Sequence, residues 1–517
     1  MTHHLHIIYT SDVHGRLLAH DYGTGTIDFA GLTRLTTWLK SCDQASLLLD
    51  NGDLLQGSPL LDHHRLRMPG TLNPAALAVN HLGYDAITLG NHDFNYGRDY
   101  LDDFTKTITC PVICCNILDE KGHHVYRPYL IHKHDNGIKT GIIGAITGYV
   151  PHWEQPGHIK GLVFEDAYDC VKTMVGRIRA DVDVIVVLYH GGIEKDFETG
   201  QPLGVQSHEN QGHAIAGIAG IDVLLTGHQH LPLVVHVQAG PLVLQTADQA
   251  RMAGVIKLVM DNHDSGWRIK SKTGQLVNMD MPEDPHLSTL LKPYHDKTLA
   301  WLSEPIGQTR LDMRIDDPFQ ARLHKHPLFE WINHLQLRLS GAMISCSSLP
   351  NQAPGFAGDL TLNDLAANFV FPNILVKLRI DGKTLKAGLE RSAMYFALSE
   401  GVIVTDPSFL HPKIEHYNVD IYDGIDYTID VSRPVGSRIT RLLYQGQPVK
   451  DDDHFTIVMN NYRATGGGHY PMFAKAEVLA TYQTSLIDLA KAALAHEPVI
   501  YFKPTDNLIV TDGQDST

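Results

Sequence analysis

The chain has 517 residues, too many for one hydrophobic core, so its length predicts two to four domains. Its 43% hydrophobic and 19% charged residues are typical of a soluble globular protein, and its net charge of -16 argues against a nucleic-acid polymer or an anionic membrane as partner. No segment approaches the ~18 apolar residues of a membrane helix. The first residues do not resemble a secretion signal, and the six cysteines show neither a zinc-type CxxC pair nor a disulfide framework. These features predict a cytoplasmic protein.

Short apolar, β-rich segments that end in His, Asp or Asn recur in the first part of the chain. They are HIIYTSDVH (6 to 14), SLLLDNGD (46 to 53), DAITLGNHD (85 to 93), DVIVVLYHGG (183 to 192) and DVLLTGHQH (222 to 230). Helical patterns such as FAGLTRLTTWLK and NPAALAVNHLG lie between several of them, which predicts a layered α/β domain. Ligands bind outside the carboxyl ends of the strands in such sheets. We therefore expect these strand ends to converge on one site.

Residue spacing predicts which of these side chains face a common ligand. Alternate residues of an extended segment share a face, so Asp12 and His14 are expected to point at one ion, as are His228 and His230. Adjacent residues diverge. If Asn91 faces a metal, the next residue, His92, is expected to face whatever is bound there.

The candidate metal ligands carry imidazole, carboxylate or amide groups. They are Asp12, His14, Asp53, Asn91, His190, His228 and His230. A donor set without thiolate suits Mn, Zn, Fe, Co or Ni rather than an iron-sulfur cluster. Seven ligands exceed what one tetrahedral ion takes, and a carboxylate such as Asp53 can bridge two ions, so a dinuclear site is predicted. Such a pair of divalent ions attracts phosphate and activates water for an in-line displacement.

The order of these motifs resembles that of the calcineurin-like metallophosphoesterases. The series is Asp12-x-His14, Gly52-Asp53, Gly90-Asn91-His92-Asp93, His190 and Gly227-His228-x-His230. With the later stretches YNVDIYDGIDYTIDVSRPVGSRI and MNNYRATGGGHYPMF, nearly the whole chain is similar to the 5'-nucleotidase and 2',3'-cyclic-nucleotide 2'-phosphodiesterase/3'-nucleotidase family. The resemblance implies an α/β fold, a four-layer αββα sandwich followed by a second α/β substrate-binding domain.

The resemblance also implies roles for individual residues. One divalent ion would take Asp12, His14, Asp53 and His230, and the other Asp53, Asn91, His190 and His228, with Asp53 as the bridge. His92 would be the catalytic histidine that stabilises the phosphoryl transition state. The 5'-nucleotidase branch orients this histidine with an aspartate three residues later, where this chain has Asn95. An amide can still fix the ring by a hydrogen bond, and the NYG variant resembles the cyclic-phosphodiesterase branch. Asp93 is expected to be structural.

A helical segment with prolines at both ends separates two parts of the chain. The segment is MPEDPHLSTLLKPYHDKTLAWLSEPIG. The predicted domains are a dinuclear metallophosphoesterase domain at 1–285, a helical linker at 286–310 and a 5'-nucleotidase-type substrate-binding domain at 311–517. Within the last, PLFEWINHLQLRLSGA predicts an amphipathic helix, ILVKLRIDGKTLKAGLERSAMYF a strand, turn and helix, and DYTIDVSRP a strand.

The stretch MNNYRATGGGHY predicts a nucleobase site. Its triple glycine lacks the Lys-Ser/Thr of a phosphate-binding loop and favours a tight turn that presents Tyr470. The resemblance implies a base held between two aromatic rings, the second of which follows a glycine-rich turn. Tyr470 and Tyr417 are assigned to these rings, with Asn461 and Arg463 as nearby contacts. Half-buried packing is the alternative for both tyrosines.

The activity implied by the resemblance is metal-dependent hydrolysis of nucleotide phosphate esters by an activated water. The expected enzyme is a 2',3'-cyclic-nucleotide 2'-phosphodiesterase or a 3'- or 5'-nucleotidase. The stretch SCSSLPNQAPGFAGDLTLND has no arginine where the 5'-nucleotidase branch places a substrate-binding one, so the preferred nucleotide stays open. A UDP-sugar or other pyrophosphate hydrolase and a thiosulfohydrolase are alternatives on the same core. A nucleotide-binding sensor is the alternative outside catalysis, which an intact ligand set disfavours.

Overall fold

A computed structural model describes residues 2–42, 47–203, 208–263, 266–371, 373–411 and 413–514. The chain divides into two compact units, Met1–Leu299 and Ala300–Thr517. The helix predicted near this point runs from Pro285 to Leu302. The exact ranges given above for the two domains and the linker stay a prediction. No helix in the described ranges is both long enough and apolar enough to cross a membrane.

Two β-sheets form the centre of the first unit. The strands of this unit are Thr2–Thr10 (β1), Leu47–Asp50 (β2), Ala86–Ile87 (β3), Ile117–Asp119 (β4), Tyr129–Lys133 (β5), Lys139–Ile146 (β6), Leu162–Phe164 (β7), Val184–His190 (β8), Val223–Thr226 (β9), Leu233–His236 (β10), Leu242–Gln245 (β11), Met252–His263 (β12) and Gly266–Asn278 (β13). One sheet has the order β13-β12-β1-β2-β3 and the other β10-β11-β9-β8-β6-β5. Strands β1, β2 and β3 are parallel, as are β6, β8, β9 and β11, so the carboxyl ends of these strands share one edge of each sheet.

Helices lie between the strands of the first unit. They are Leu32–Lys40 (α1), Pro59–Arg67 (α2), Pro74–Leu82 (α3), Arg98–Thr107 (α4), Val150–Trp153 (α5), Ala167–Ile178 (α6) and Gly212–Ala216 (α7). Helix Pro285–Leu302 (α8) follows the last of these strands and includes the boundary between the two units. Local signals explain the bounds of α3. The side chain of Asn73 accepts hydrogen bonds from the N–H groups of Ala75 and Ala76, and Gly83 ends the helix with a φ of 72°. Helices α1 and α3 occupy the two helical patterns predicted from the sequence.

Apolar side chains fill the space between the two sheets. Val186 of β8 packs in one cluster with Ile7 of β1, whereas the adjacent Val187 packs on the opposite face in a cluster that includes Val171 of α6. Since both faces of β8 are buried, the strand is continuously apolar rather than alternating. The predicted α/β fold class, with a layered sandwich in the first unit, is confirmed.

The second unit is also α/β. Its strands are Pro305–Arg314 (β14), Ile344–Ser347 (β15), Gly355–Thr361 (β16), Ile374–Asp381 (β17), Phe396–Ser399 (β18), Val402–Thr405 (β19), Ile421–Asp423 (β20), Asp426–Asp430 (β21), Ile439–Tyr444 (β22), Gln447–Pro448 (β23), His454–Asn460 (β24), Glu477–Ser485 (β25), Val499–Ile500 (β26) and Leu508–Thr511 (β27). Its helices are Pro318–Leu323 (α9), Pro327–Ser340 (α10), Leu362–Asn368 (α11), Gly382–Ala393 (α12), Asn461–Ala464 (α13) and Leu486–His496 (α14). The largest sheet has the order β20-β15-β24-β17-β25. The predicted amphipathic helix is α10, and β17 followed by α12 is the predicted strand, turn and helix.

Candidate metal centre

The seven candidate ligands lie at or just beyond the carboxyl ends of strands in the first unit. Asp12 and His14 follow β1, Asp53 follows β2, Asn91 follows β3, His190 ends β8, and His228 and His230 follow β9. Because these strands are parallel within each sheet, their ends bring together residues that are far apart in sequence. The prediction that these strand ends converge agrees with this arrangement.

The donor atoms of these residues form two clusters. One contains Asp12, His14 and His230, the other contains Asp53, His190 and His228, and in each the donor atoms lie within 4.8 Å of one another. The clusters approach each other where Oδ1 of Asp12 lies 3.9 Å from Nε2 of His190. Oδ1 of Asn91 is 2.9 Å from Nδ1 of His228 and so adjoins the second cluster. The structure thus brings all seven residues into one region.

The extended backbone predicted for these motifs is wrong. Asp12 and His14 have φ angles of 56° and 50°, and His228 and His230 have 70° and 54°, all in the left-handed region. Asp53 is also left-handed, with a φ of 57°. His228 and His230 lie in different clusters, contrary to the expectation from their spacing, whereas Asp12 and His14 share one. Each such residue costs on the order of 1–3 kcal/mol, a strain that clusters at functional sites.

The segment that carries His92 also differs from the prediction. Asn91–Phe94 is a short 3-10 helix rather than the end of a strand. The N–H of His92 donates to Oδ1 of Asp53 at 2.7 Å, and its ring lies edge-on to that of His14 with centroids 5.3 Å apart. Nδ1 of His92 is 2.7 Å from Oδ1 of Asn95. An amide oxygen therefore faces this imidazole at the position where the 5'-nucleotidase branch has a carboxylate.

Backbone carbonyl groups orient two of the candidate ligands. Nδ1 of His14 donates to the carbonyl oxygen of Gln56 at 3.0 Å, and Nδ1 of His190 donates to that of Asn51 at 2.7 Å. Since a carbonyl oxygen only accepts, both rings direct Nε2 toward their clusters. Such hydrogen bonds are usual behind histidines that bind metals.

The charges and burial of the two clusters favour a bound cation. Burial lowers the pKa of His190, but the carboxylates of Asp53 and Asp12 outweigh this effect and raise it to about 10. Burial likewise lowers the pKa of His14 to about 4, and there the carboxylates do not prevail. Nε2 of His190 and Oδ2 of Asp53 are buried and form an ion pair at 3.1 Å, and apart from each other neither atom has a hydrogen-bond partner in the described part of the chain. This oxygen and nitrogen donor set fits a divalent cation.

The carboxylate of Asp93 accepts hydrogen bonds from the backbone near the clusters. Its two carboxylate oxygens accept hydrogen bonds from the N–H groups of Asp53, Leu54, Leu55 and Gly90, at 3.0, 2.9, 2.9 and 2.8 Å. Burial and the charge of Asp53 raise the pKa of Asp93 to about 6, against the effect of these amides. Asp93 therefore ties the loop after β2 to the turn after β3, a structural role as expected.

The sequence patterns did not reveal two further neighbours of His228. Its Nε2 lies 2.9 Å from Oε1 of Glu209, and the indole of Trp153 stacks on its ring with centroids 5.4 Å apart at 24°. Neither residue lies at a strand end. The pattern that identified the other residues therefore contained no signal for these two.

The residues predicted to bind a nucleobase lie in the second unit, and Tyr470 is not where the prediction placed it. Its side chain is 0% exposed, and its hydroxyl lies 2.7 Å from that of Ser392. The glycine-rich turn passes through left-handed φ angles of 67° at Gly468 and 68° at His469, which leaves His469 exposed and turns Tyr470 into the core. The turn therefore does not expose Tyr470 in this structure, and the contact of Tyr470 with a base stays a prediction.

Arg463 is also buried. Its Nε donates to Asp420 at 2.7 Å, and its guanidinium carbon lies 4.0 Å from the ring centroid of Tyr470. It also donates to the backbone oxygen of Tyr417 at 3.3 Å. Arg463 thus supports the neighbouring loops from inside, and its contact with a ligand stays a prediction. Tyr417 is half-buried, and Asn461 accepts from the N–H of Ile374 at 3.0 Å; their roles in binding stay predictions.

Comparisons with known proteins agree with this architecture. The family model of the calcineurin-like phosphoesterases matches residues 5–232, and that of the 5'-nucleotidase C-terminal domain matches residues 305–475. A Staphylococcus aureus structure, described as a 5'-nucleotidase candidate in complex with alpha-ketoglutarate, is 32% identical with a TM-score of 0.89, and the match covers 98% of this chain and 100% of that chain.

Two relatives have names that state an activity. The 2',3'-cyclic-nucleotide 2'-phosphodiesterase/3'-nucleotidase of Haemophilus influenzae is 28% identical over 538 residues, 89% of this chain and 80% of that protein. The trifunctional nucleotide phosphoesterase protein YfkN of Bacillus subtilis is 27% identical over 545 residues, 92% of this chain. This chain spans only 37% of the length of that protein.

A two-sheet sandwich with Asp and His clusters at its strand ends defines a metallophosphoesterase core, a class that uses divalent metal ions. The chain belongs to the family that joins a calcineurin-like phosphoesterase domain to a 5'-nucleotidase C-terminal domain. The resemblance found in the sequence is thereby confirmed. The relatives from Haemophilus influenzae and Bacillus subtilis carry the names of enzymes that hydrolyse phosphoric esters.

Proposed function

We propose that the protein is a metal-dependent hydrolase of nucleotide phosphate esters, with 2',3'-cyclic nucleotides and 3'-nucleotides as its preferred substrates and 5'-nucleotides as further ones. The observation that carries this proposal is the pair of adjoining clusters, Asp12-His14-His230 and Asp53-His190-His228. The names of the relatives from Haemophilus influenzae and Bacillus subtilis support the nucleotide as substrate. The amide at Asn95 supports the cyclic-phosphodiesterase branch.

The clusters suit two divalent ions chosen from Mn, Zn, Fe, Co and Ni. The proposed ligands of one ion are Asp12, His14, Asp53 and His230, and those of the other are Asp53, Asn91, His190 and His228. When bound, the two ions would supply an activated water and neutralise the charge of the phosphate. Two carboxylates beside two dications leave a local charge of about +2, which attracts a phosphate ester to an otherwise acidic protein.

The residues of the chain then position and stabilise the reacting phosphate. His92 lies beside the first cluster, held through its backbone N–H by Asp53 and through Nδ1 by Asn95. We propose that His92 stabilises the transition state of the phosphate and assists departure of the leaving oxygen. Asp93 joins the two loops that carry Asp53 and Asn91 through hydrogen bonds to their backbone N–H groups.

The second unit is proposed to recognise the nucleobase. We assign stacking on the base to Tyr417, because this residue is only half-buried, whereas Tyr470 is fully buried. Stacking on an aromatic ring contributes about 1–3 kcal/mol per base and tolerates different bases. Tyr417→Ala is expected to raise KM for nucleotides with little change in kcat, whereas hydrolysis of bis(4-nitrophenyl) phosphate, which has no base, should be unaffected.

The function is tested by phosphate release from the metal-loaded protein. The substrates are 3'-AMP and 5'-AMP, together with 2',3'-cyclic AMP and UDP-glucose. The last two are followed with an added phosphatase, because their first hydrolysis yields phosphate monoesters rather than free phosphate. We expect the cyclic and 3' substrates to be preferred, His92→Ala to retain metal but lose most turnover, and Asp53→Ala to lose both. Preference for UDP-glucose would favour a pyrophosphate hydrolase. Binding of nucleotides by isothermal titration calorimetry without turnover of any of them would favour a sensor.

We further propose that the protein acts in the cytoplasm. In the described part of the chain no cysteine forms a disulfide, and burial raises the pKa of Cys114 to about 12, as expected of an unreactive packing thiol. Fractionation of cells that produce the tagged protein tests this location, and recovery outside the cytoplasm would contradict it.

A further inference from the structure

Glu154 lies behind the amide that faces His92. It follows helix α5 directly, and its side chain is only 5% exposed. Its Oε2 accepts a hydrogen bond from Nδ2 of Asn95 at 2.6 Å, while Oδ1 of the same amide is 2.7 Å from Nδ1 of His92. Asn95 is therefore a bridge between a carboxylate and the imidazole assigned to catalysis.

The other contacts of Glu154 show that its carboxylate is an acceptor throughout. Its Oε1 accepts from the N–H of Gln155 at 2.7 Å and lies 2.8 Å from Nδ1 of His158. An ionised carboxylate can only accept, so the Asn95 atom that faces it must be the NH2 group. The oxygen of Asn95 then faces His92, and Nδ1 of His92 must be the ring nitrogen that carries a proton.

We propose that Glu154 is a positioning residue for the reaction, which sets the orientation of the Asn95 amide and through it the tautomer of His92. This inference rests on the proposed function, because Glu154 can position a catalytic group only if His92 takes part in catalysis. Nε2 of the ring is then the nitrogen that meets the substrate. The pair Asn95 and Glu154 together performs what the single aspartate does in the 5'-nucleotidase branch.

The proposal predicts reciprocal rescue between two positions. In Glu154→Gln the introduced amide keeps its oxygen toward Gln155 and His158, and its NH2 group faces Asn95. The Asn95 amide is expected to invert, so that its own NH2 group faces His92 and Nδ1 of that ring becomes an acceptor. In Asn95→Asp two carboxylates face each other across the present 2.6 Å contact and repel. In the double variant the introduced carboxylate accepts from both sides, which restores the proton on Nδ1.

The experiment measures turnover of 2',3'-cyclic AMP by the full-length, metal-loaded variants. Each single substitution should lower kcat by about 10²-fold, the scale of one acid-base group, with little change in KM. The double variant should recover most of this loss. Glu165→Gln is the matched control, since Glu165 contacts the thiol of Cys170 instead. Two defective single variants without recovery in the double variant, or unchanged kcat in Glu154→Gln, would overturn the proposal.

A second readout does not depend on activity. Two-bond proton–nitrogen NMR correlations of the protein with nitrogen-15 histidine report the tautomer of each ring, and His92→Gln identifies the signal of His92. The expected tautomer carries its proton on Nδ1 in the wild type and the double variant, and on Nε2 in Glu154→Gln. The same tautomer in all three proteins would overturn the proposal. If the wild type hydrolyses none of the nucleotides, the proposed function fails, and the NMR series still decides whether Glu154 sets the ring.

Discussion

The Nε2 atoms of His14 and His230 lie 3.0 Å apart, although 216 positions separate the two residues in the chain. Nδ1 of His14 donates to a backbone carbonyl, so its Nε2 cannot also donate while the ring is neutral. Oδ1 of Asp12 is 3.4 Å from Nε2 of His230. Three donor atoms thus surround one small space, in the geometry expected of ligands that share a cation.

His230→Ala is expected to remove one of the two proposed ions. The second cluster lacks His230, so it should keep its ion, and metal content should fall from about two to about one per chain. Inductively coupled plasma mass spectrometry after gel filtration measures this content. His236→Ala, at an exposed histidine of β10, is the matched control. Unchanged metal content in His230→Ala would contradict the proposed division of ligands.

Asp93→Asn is expected to destabilise the first unit. The carboxylate accepts from four backbone N–H groups, and an amide with one oxygen leaves some of these buried donors without a partner. The free energy of unfolding should fall by about 2 kcal/mol or more, measured by urea unfolding. Affinity for metal should fall as well, since Asp53 and Asn91 lie on the loops that Asp93 joins. Asp99→Asn, at an exposed position in α4, should change neither property.

Asp50 is expected to make the free energy of unfolding of the metal-free protein depend on pH. Burial raises the pKa of Asp50 to about 8, so the folded protein binds this proton more tightly than the unfolded chain does. The stabilisation that the protonated Asp50 gives to the folded protein is fully present below the ordinary pKa near 4, and it is lost as the pH rises through about 8. Asp50→Asn should therefore flatten the decline in the free energy of unfolding over this range, by up to about 1.4 kcal/mol per pH unit.

Urea unfolding of the chelator-treated protein at a series of pH values measures this slope. Asp135→Asn, at an exposed position, is the control and should leave the slope as it is in the wild type. An equal slope in Asp50→Asn and wild type would show that Asp50 does not hold the proton.

Arg463 is expected to stabilise the second unit rather than to bind substrate. It pairs with Asp420 at 2.7 Å, and both side chains are almost entirely buried. Arg463→Ala leaves a buried carboxylate without its partner, which typically costs about 3–5 kcal/mol. Arg379→Ala removes an exposed pair with Glu477, also at 2.7 Å, and should cost at most about 1 kcal/mol. Normal stability with a raised KM for nucleotides in Arg463→Ala would instead favour the contact with a base.

The sequence by itself determined the fold class, the family and the set of polar residues at the strand ends. Apolar periodicity and cap residues are local signals, and they located helices such as α3 and buried strands such as β8. The metal motifs could be identified from the sequence because parallel strands have their carboxyl ends at one edge of the sheet. Short polar segments that follow apolar strands therefore indicate a site at that edge. Spacing alone did not predict that His228 and His230 lie in different clusters, because the backbone there is not extended.

Only the tertiary structure decided which side chains meet. Asn95 and Glu154 are 59 positions apart, and nothing in either local sequence indicates their hydrogen bond. The burial of Tyr470 depends on two left-handed residues in its turn and on its packing beside Arg463. Local patterns record the preferences of a segment for helix, strand or turn. The orientation of a side chain toward a distant partner follows instead from how the whole chain packs, because each contact is fixed by many others.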